Sequence, residues 1–183
     1  LSVSLGSYYN PLIRRMRELP KPIVCAVNGT AAGAGANIAL ACDIVIAARS
    51  ASFIQAFSRI GLVPDSGGTW LLPRLVGSAR AMALALLADK VPAEQAAEWG
   101  MIWKVVDDSD LSSESMSLCK KLAEGPTKGY GLIKKVMHAS GVNTLDAQLD
   151  LERDVQREAG RSEDYREGVT AFKEKRAPRF TGK

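Results

Sequence analysis

One carboxylate in the sequence stands where it could do chemistry. Asp65 follows Pro64 and precedes Ser66-Gly67-Gly68, directly before an apolar helical pattern. Proline restricts the approach to this turn, and the glycines let the chain enter a helix with its first N–H groups unbonded. A carboxylate in this place could act as a general acid or base. It could equally be a helix N-cap that accepts one of those N–H groups.

A second candidate is the glycine-rich turn Gly33-Ala34-Gly35, which precedes a predicted helix over residues 34–42. Small residues let the backbone approach a ligand, and the N–H groups of a first helical turn can bind an anion or a developing oxyanion. The alternative is a tight turn that serves helix–strand packing. A dinucleotide site is disfavoured, because positions 53 and 57, where an acidic residue would stand, hold Phe53 and Phe57.

The third candidate is a pair near the C-terminal end of the chain. Phe172 and Lys175 lie about one turn apart on a helix predicted over residues 163–175. A ring and an ammonium group on one helix face could hold an adenine and a phosphate. The alternative is an ordinary packed residue beside a solvated one.

Histidine and cysteine usage narrows the chemistry further. The single histidine, His138, lies in a lysine-bearing helical pattern without a CxxC or HxxxH spacing, so no metal site is expected. For the same reason Ser66 lacks the partner that a protease-like nucleophile needs. Cys25, Cys42 and Cys119 lie in apolar segments, which predicts reduced, buried thiols of a cytoplasmic protein.

Composition and charge are those of a globular chain that binds neither nucleic acid nor a membrane. Of the 183 residues 46% are hydrophobic and 24% charged, and the net charge is +4. The charges alternate in sign along the C-terminal third instead of forming a basic block, which argues against a nucleic-acid partner. The longest apolar runs are shorter than the roughly 18 residues of a membrane span. A positive balance also suits an anionic ligand.

The predicted elements form an α/β portion over residues 1–107 and a helical portion over residues 108–183. Apolar patterning predicts a helix around residues 12–19 and strands over 23–27, 43–48, 52–54 and 102–106. The other predicted helices span residues 69–76, 79–87, 93–99, 111–123, 127–139, 145–159 and 163–175, with Ser78, Thr144 and Ser162 as N-caps.

Three blocks of the sequence resemble the crotonase (enoyl-CoA hydratase/isomerase) superfamily in order and spacing. They are PKPIVCAVNGTAAGAGANIALACDIVIAARSASF, IGLVPDSGGTWLLPRLVG and REGVTAFKEKRAPRF. The resemblance implies a crotonase-like spiral of ββα units with a C-terminal helical region, the N-terminal part of that fold lying upstream of this sequence. It further implies an acyl-CoA substrate, no cofactor beyond that CoA, and a homotrimer or a dimer of trimers.

The resemblance also assigns roles to residues. The N–H of Ala34 matches one donor of an oxyanion hole, the other donor lying upstream. Family hydratases carry glutamates at the places of Asn37 and Phe57, so water addition is disfavoured here, and family isomerases carry an acid at the place of Asp65. The residues expected to contact the substrate or its CoA are Gly33, Gly35, Asn37, Phe57, Gly67, Phe172 and Lys175.

The finer pattern is similar to the branch of the family that isomerises ring-epoxide acyl-CoA thioesters in phenylacetate breakdown. The alternatives are a Δ3-Δ2-enoyl-CoA or dienoyl-CoA isomerase of fatty-acid oxidation, and a non-catalytic binding subunit.

Overall fold

The computed structural model describes residues 1–183, which form two compact units. The first unit comprises Leu1–Arg17 and Ile23–Met116, and the second comprises Glu18–Pro22 and Ser117–Lys183.

The first unit contains all the strands and begins with a helical segment. Its elements are α1 (Ser2–Ser4), a π-helical turn (Leu5–Tyr9), α2 (Asn10–Glu18), β1 (Val24–Val27), β2 (Thr30–Ala32), α3 (Ala34–Leu40), β3 (Ile44–Ala48), β4 (Ser52–Ile54), a 3-10 turn (Ala56–Ile60), α4 (Gly68–Leu87), β5 (Lys90–Pro92), α5 (Ala93–Glu98), β6 (Lys104–Val106) and a 3-10 turn (Asp108–Asp110). The helix that begins at Leu111, α6, runs to Ala123 and enters the second unit.

Successive ββα units place one strand in each of two small sheets. The first sheet has the order β1-β3-β6 and is parallel, with Val24 opposite Ile44 and Ile46 opposite Lys104. In the second sheet β2 pairs with β4 in parallel, and β4 pairs with β5 antiparallel. The predicted spiral of ββα units is therefore confirmed. Strands β2 and β5 were not predicted, because β2 (Thr-Ala-Ala) lies in a segment read as a glycine-rich turn and β5 (Lys-Val-Pro) has a single large apolar residue and ends in proline.

Large apolar side chains of the strands and of α4 form the core of the first unit. Ile46, Phe53 and Leu72 are each at most 2% exposed. Burying a side chain of this size stabilises the folded state by about 1.5–3 kcal/mol. These contacts hold the ends of β4 and α4 in place, and the candidate site lies at those ends.

Helix α4 is bent at Gly77, which has φ 78° and ψ 161°. Only glycine adopts this combination readily, because a Cβ would clash with the backbone. The predicted break between helices 69–76 and 79–87 is confirmed. The prediction that Ser78 is an N-cap is wrong, since its hydroxyl makes no hydrogen bond and the bend comes from the Gly77 backbone alone.

By length and composition α4 is also the one helix that could cross a membrane. The bend divides it into two halves of about 15 Å each at 1.5 Å per residue. The hydrocarbon core of a bilayer is about 30 Å thick, so neither half could span it as a single straight helix.

The second unit contains three further helices, whose starts follow the predicted caps. They are α7 (Thr127–Ser140), α8 (Leu145–Ala159) and α9 (Glu163–Glu174). The N–H of Ala147 donates to Thr144 Oγ1 at 3.3 Å, and that of Tyr165 donates to Ser162 Oγ at 3.0 Å. Both predicted N-caps are confirmed.

Two carboxylates of α9 bind the segment that follows the helix. Asp164, which is buried, accepts the N–H groups of Thr181 and Gly182 at 2.7 and 3.0 Å. Glu167 forms a two-pronged ion pair with Arg176. Hydrogen bonds from that guanidinium lower the pKa of Glu167 to about 2. The segment therefore folds back along α9 toward the N-terminal end of the helix.

The cysteines differ from the sequence prediction in their burial. None forms a disulfide, but Cys25, Cys42 and Cys119 are half-buried rather than buried. Cys42 donates to the carbonyl of Ile38 at 3.5 Å, and its hydrogen bond with Cys25 lowers the pKa of the Cys25 thiol.

We expect Gly77→Ala to lower the free energy of unfolding by about 1–3 kcal/mol, the cost of holding a non-glycine residue in this backbone region. The loss would be local backbone strain alone, because beyond the adjacent backbone a Cβ at position 77 would meet no atom within 4 Å. Urea denaturation measures it. Gly29→Ala is the matched control, since position 29 has the same open space without a positive φ. Equal stability of the Gly77→Ala variant and the wild type would contradict this account.

Candidate active site

Asp65 lies in an irregular turn between the 3-10 segment and α4. Ser66 and Gly67 both have positive φ, 49° and 81°, so the chain reverses direction directly after Asp65. The N–H of Gly68 donates to the carbonyl oxygen of Asp65 at 2.8 Å and closes the turn. The Asp65 side chain is half-buried, which leaves its carboxylate accessible from one side.

The carboxylate of Asp65 accepts a hydrogen bond from Ser66 Oγ at 2.9 Å. It does not cap α4: Gly67 is the N-cap residue, and no side chain accepts an N–H of the first turn. The alternative that Asp65 serves as a helix N-cap is therefore wrong. The other oxygen of the Asp65 carboxylate has no hydrogen-bond partner in the protein.

Asn37 connects the Asp65 turn to the interior of the first unit. It belongs to α3, is 0% exposed, and donates from Nδ2 to the carbonyl oxygen of Asp65 at 2.9 Å. Its Oδ1 accepts from Nε2 of Gln55, the residue that follows β4, at 2.8 Å. Both polar groups of the Asn37 amide are thus bound to the protein itself.

The turn before α3 has the geometry that an anion-binding backbone needs. Gly33 has φ 54° and ψ −126°, a conformation that favours glycine, and its N–H donates to the carbonyl of Ile54 at 2.9 Å. The N–H groups of Ala34 and Gly35 have no acceptor in the protein. A Cβ on Gly35 would meet no atom within 4 Å, so the space above this turn is open.

The ring of Phe57 packs against Gly33, whereas the space beside Gly35 is open. The ring is buried, and a Cβ at Gly33 would lie 3.6 Å from it. The candidate residues Ala34, Asn37, Phe57 and Asp65 therefore lie in one region of the first unit, where α3, the end of β4 and the start of α4 meet.

The ring of Trp70, in the first turn of α4, is contacted by two guanidinium groups. Arg17 of α2 lies 5.0 Å and Arg74 lies 3.9 Å from the centre of its ring. Partial burial lowers the pKa of Arg17, and the nearby carboxylate of Asp43 opposes that change. Cation–π contacts of this kind contribute about 0.5–2 kcal/mol each, so they help to fix the start of α4 against α2.

Phe172 and Lys175 belong to the second unit. The Phe172 side chain is 85% exposed, and Lys175 is the residue that ends α9, with φ 54°. The predicted helix over residues 163–175 is one residue too long, because Lys175 has left the helical conformation. Both side chains are solvent-exposed, as a ligand contact would require.

Sequence reasoning missed two residues of the Asp65 region. Ser66 was considered only as a nucleophile, although its position beside Asp65 could have indicated a hydrogen bond. Gln55 carries no signal in the sequence, since only the fold brings the end of β4 close to α3. Its Oε1 is buried without a hydrogen-bond partner.

The chain is similar in sequence to isomerases that act on thioesters. It is 63% identical to the 1,2-epoxyphenylacetyl-CoA isomerase of Escherichia coli K12 over 183 residues, which are 100% of this chain and 70% of that protein. It is 38% identical to the trans-2-decenoyl-[acyl-carrier-protein] isomerase of Streptococcus mutans over 181 residues, 99% of this chain and 69% of that protein.

Comparison with solved structures leads to the same family. The crystal structure of an enoyl-CoA hydratase from Polaromonas sp. JS666 superimposes with a TM-score of 0.94 at 35% identity, covering 98% of this chain and 70% of that one. Residues 3–183 match the family described as enoyl-CoA hydratase/isomerase. With its spiral of ββα units and these relatives, the chain belongs to the enoyl-CoA hydratase/isomerase, or crotonase, family.

Proposed function

We propose that the protein is an acyl-CoA isomerase with Asp65 as its acid/base, and that its substrate is ring-1,2-epoxyphenylacetyl-CoA. The observation that carries the proposal is the accessible Asp65 carboxylate in a chain whose two hydratase glutamate places hold Asn37 and Phe57. The 63% identity to the E. coli 1,2-epoxyphenylacetyl-CoA isomerase supports the substrate.

The unbonded N–H of Ala34 supports a role in stabilising negative charge on the thioester oxygen. A hydrogen-bond donor aimed at that oxygen makes the neighbouring C–H more acidic, because the electron pair released from carbon moves onto the oxygen. Asp65 would accept the proton and return it to a different carbon, which moves the double bond. Because Asp65 both takes and returns the proton, this step calls for no cofactor beyond the CoA of the substrate.

In the ring-epoxide substrate the corresponding product is an oxepin. The bond shared by the epoxide and the six-membered ring breaks and the ring expands, again without a change in composition. Asp65 would then move a proton or stabilise charge that develops during ring opening. The same two groups, a backbone N–H and a carboxylate, suffice for both isomerisations.

The CoA end of the substrate needs separate contacts. We propose that Phe172 and Lys175 contribute to them through the adenine and a phosphate. The strong exposure of the Phe172 ring supports this, because an apolar side chain that is left open to water gains most from covering a base.

The main test replaces Asp65 with asparagine, which keeps the shape of the side chain but cannot take a proton. We expect kcat to fall about 10²- to 10⁴-fold with KM nearly unchanged. Asp89→Asn is the matched control, because this exposed aspartate follows the other end of α4 and makes no hydrogen bond. Rates on ring-1,2-epoxyphenylacetyl-CoA and on 3-enoyl-CoAs, read by ultraviolet spectrum and mass, distinguish the two substrate classes. An Asp65→Asn variant with more than about a tenth of the rate would remove Asp65 from the chemistry.

Hydration of crotonyl-CoA should be slow. Asparagine and phenylalanine cannot activate water as the glutamates of family hydratases do, so we expect a turnover at least about 100-fold below the isomerase rate. Loss of the double-bond absorbance measures it. Equal hydratase and isomerase rates would refute the assignment.

We also propose that the protein assembles into trimers, alone or in pairs. On α8 the apolar side chains differ in burial. Val155 is buried, whereas Leu145 and Leu149 are 74% and 52% exposed. Covering such side chains is a common reason for association. Light scattering at micromolar concentration should give three or six times the chain mass, and a monomer would exclude this assembly.

A further inference from the structure

A line of hydrogen bonds runs from the second sheet to the Asp65 turn through two buried amides. Nε2 of Gln55 donates to Oδ1 of Asn37 at 2.8 Å, and Nδ2 of Asn37 donates to the carbonyl oxygen of Asp65 at 2.9 Å. Gln55 is 4% exposed and Asn37 is 0% exposed, so water cannot replace either bond. Buried polar groups of this kind are held firmly, because breaking one bond leaves an unsatisfied group in the interior.

The line begins at a rigid element. Gln55 directly follows β4, where Ile54 pairs with Ala32 of β2 and accepts the N–H of Gly33. The sheet therefore fixes the Gln55 residue. Through its two hydrogen bonds, Asn37 connects Gln55 to the Asp65 turn, which belongs to no strand or helix. Within the turn, the N–H of Gly68 donates to the same Asp65 carbonyl oxygen at 2.8 Å.

Gly68 provides the space for the Asn37 amide. A Cβ at position 68 would lie 2.2 Å from Nδ2 of Asn37, far inside a van der Waals contact. Its φ is not positive, so the close approach of the amide, and not the backbone conformation, requires glycine here. The amide and the turn are thus fitted directly against one another.

Ser66 acts on the carboxylate itself. It is 2% exposed, has a φ of 49°, and donates from Oγ to Oδ1 of Asp65 at 2.9 Å. A positive φ is costly for a non-glycine residue, by about 1 kcal/mol or more. The hydroxyl binds one carboxylate oxygen and leaves the other open toward solvent.

We propose that Asn37 is a positioning residue, which together with Gln55 and Ser66 forms a clamp that holds Asp65 in its reactive orientation. The clamp residues act through Asp65 and do not touch the substrate. This inference rests on the proposed function, in which Asp65 is the acid/base. It gives Asn37 a role at the place where family hydratases carry a glutamate.

The test measures kcat and KM of Asn37→Leu on ring-1,2-epoxyphenylacetyl-CoA, in the wild type and in the Asp65→Asn background. Misplacing a catalytic group by about 1 Å costs on the order of 10²-fold, so we expect kcat to fall about 10- to 100-fold with KM changed less than about threefold. In the Asp65→Asn background the same substitution should produce no further loss, because the group that it positions is gone.

Gly68→Ala tests the same effect independently. Its new methyl group would displace the Asn37 amide, although no hydrogen-bonding side chain is removed. Gly29→Ala is its matched control, since a Cβ there meets nothing within 4 Å. We expect Gly68→Ala to lower kcat about 10-fold or more and Gly29→Ala to leave it unchanged. Should Asn37→Leu fail to fold, Ser66→Ala removes only a hydroxyl and should lower kcat about threefold to tenfold at constant KM.

Three outcomes would overturn the inference. In the first, Asn37→Leu raises KM and lowers the rate equally in both backgrounds, which would make Asn37 a substrate contact. In the second, Asn37→Leu, or Ser66→Ala in its place, leaves kcat per folded molecule at the wild-type value, which would make the clamp structural only. In the third, Gly68→Ala is fully active. Failure of the proposed function has a different signature, since Asp65→Asn alone would then keep its activity.

Discussion

The side-chain amide of Asn37 joins three segments that are far apart in the sequence, and the geometry of the candidate site depends on it. The amide belongs to α3, accepts from Gln55 at the end of β4, and donates to the backbone of Asp65 before α4. An amide can do this because it carries a donor and an acceptor at opposite corners of one rigid plane. A glutamate in the same place would present acceptors to both neighbours and would leave the Asp65 carbonyl opposed by a negative charge. Under the proposed function, the residue that stands at a hydratase glutamate place is thus also the one that binds the turn.

Three glycines of the candidate site, Gly33, Gly67 and Gly68, are required for two different physical reasons. Gly33 and Gly67 have positive φ, which lets the backbone turn sharply before α3 and before α4. Gly68 has no such conformation but lies against the Asn37 amide, where a methyl group cannot fit. Gly35 has neither a positive φ nor a neighbour within 4 Å of a Cβ. The open space beside it lies next to the unbonded N–H of Ala34. The glycines of the two turns therefore have different functions. Some allow a positive φ, one allows close packing, and one leaves space beside a free N–H group.

The two compact units contribute different things to the proposed reaction. The first unit holds the carboxylate and the backbone N–H groups on short elements whose ends are fixed by sheet pairing and by the stacking of Arg17 and Arg74 on Trp70. The second unit is helical and presents exposed apolar side chains, among them Leu145 and Phe172. A rigid strand-based unit suits the chemistry, which tolerates little displacement. Exposed helical faces suit binding, either to the nucleotide end of a substrate or to another copy of the chain.

The sequence alone determined the family, the long helices and the identity of the candidate residues. Its hydrophobic periodicity predicted α6 to α9 to within one residue at each end, and Thr144 and Ser162 predicted two helix starts, because caps and periodic faces are local properties. Strands β2 and β5 were not predicted, since Thr-Ala-Ala and Lys-Val-Pro have too few large apolar residues to indicate a strand. The tertiary structure decided that Asp65 caps no helix, that Asn37 is buried with both amide groups bonded, and that Gln55 and Ser66 belong to the same network. These facts depend on contacts between residues as far as 28 positions apart, and no local pattern encodes which buried donor will meet which acceptor.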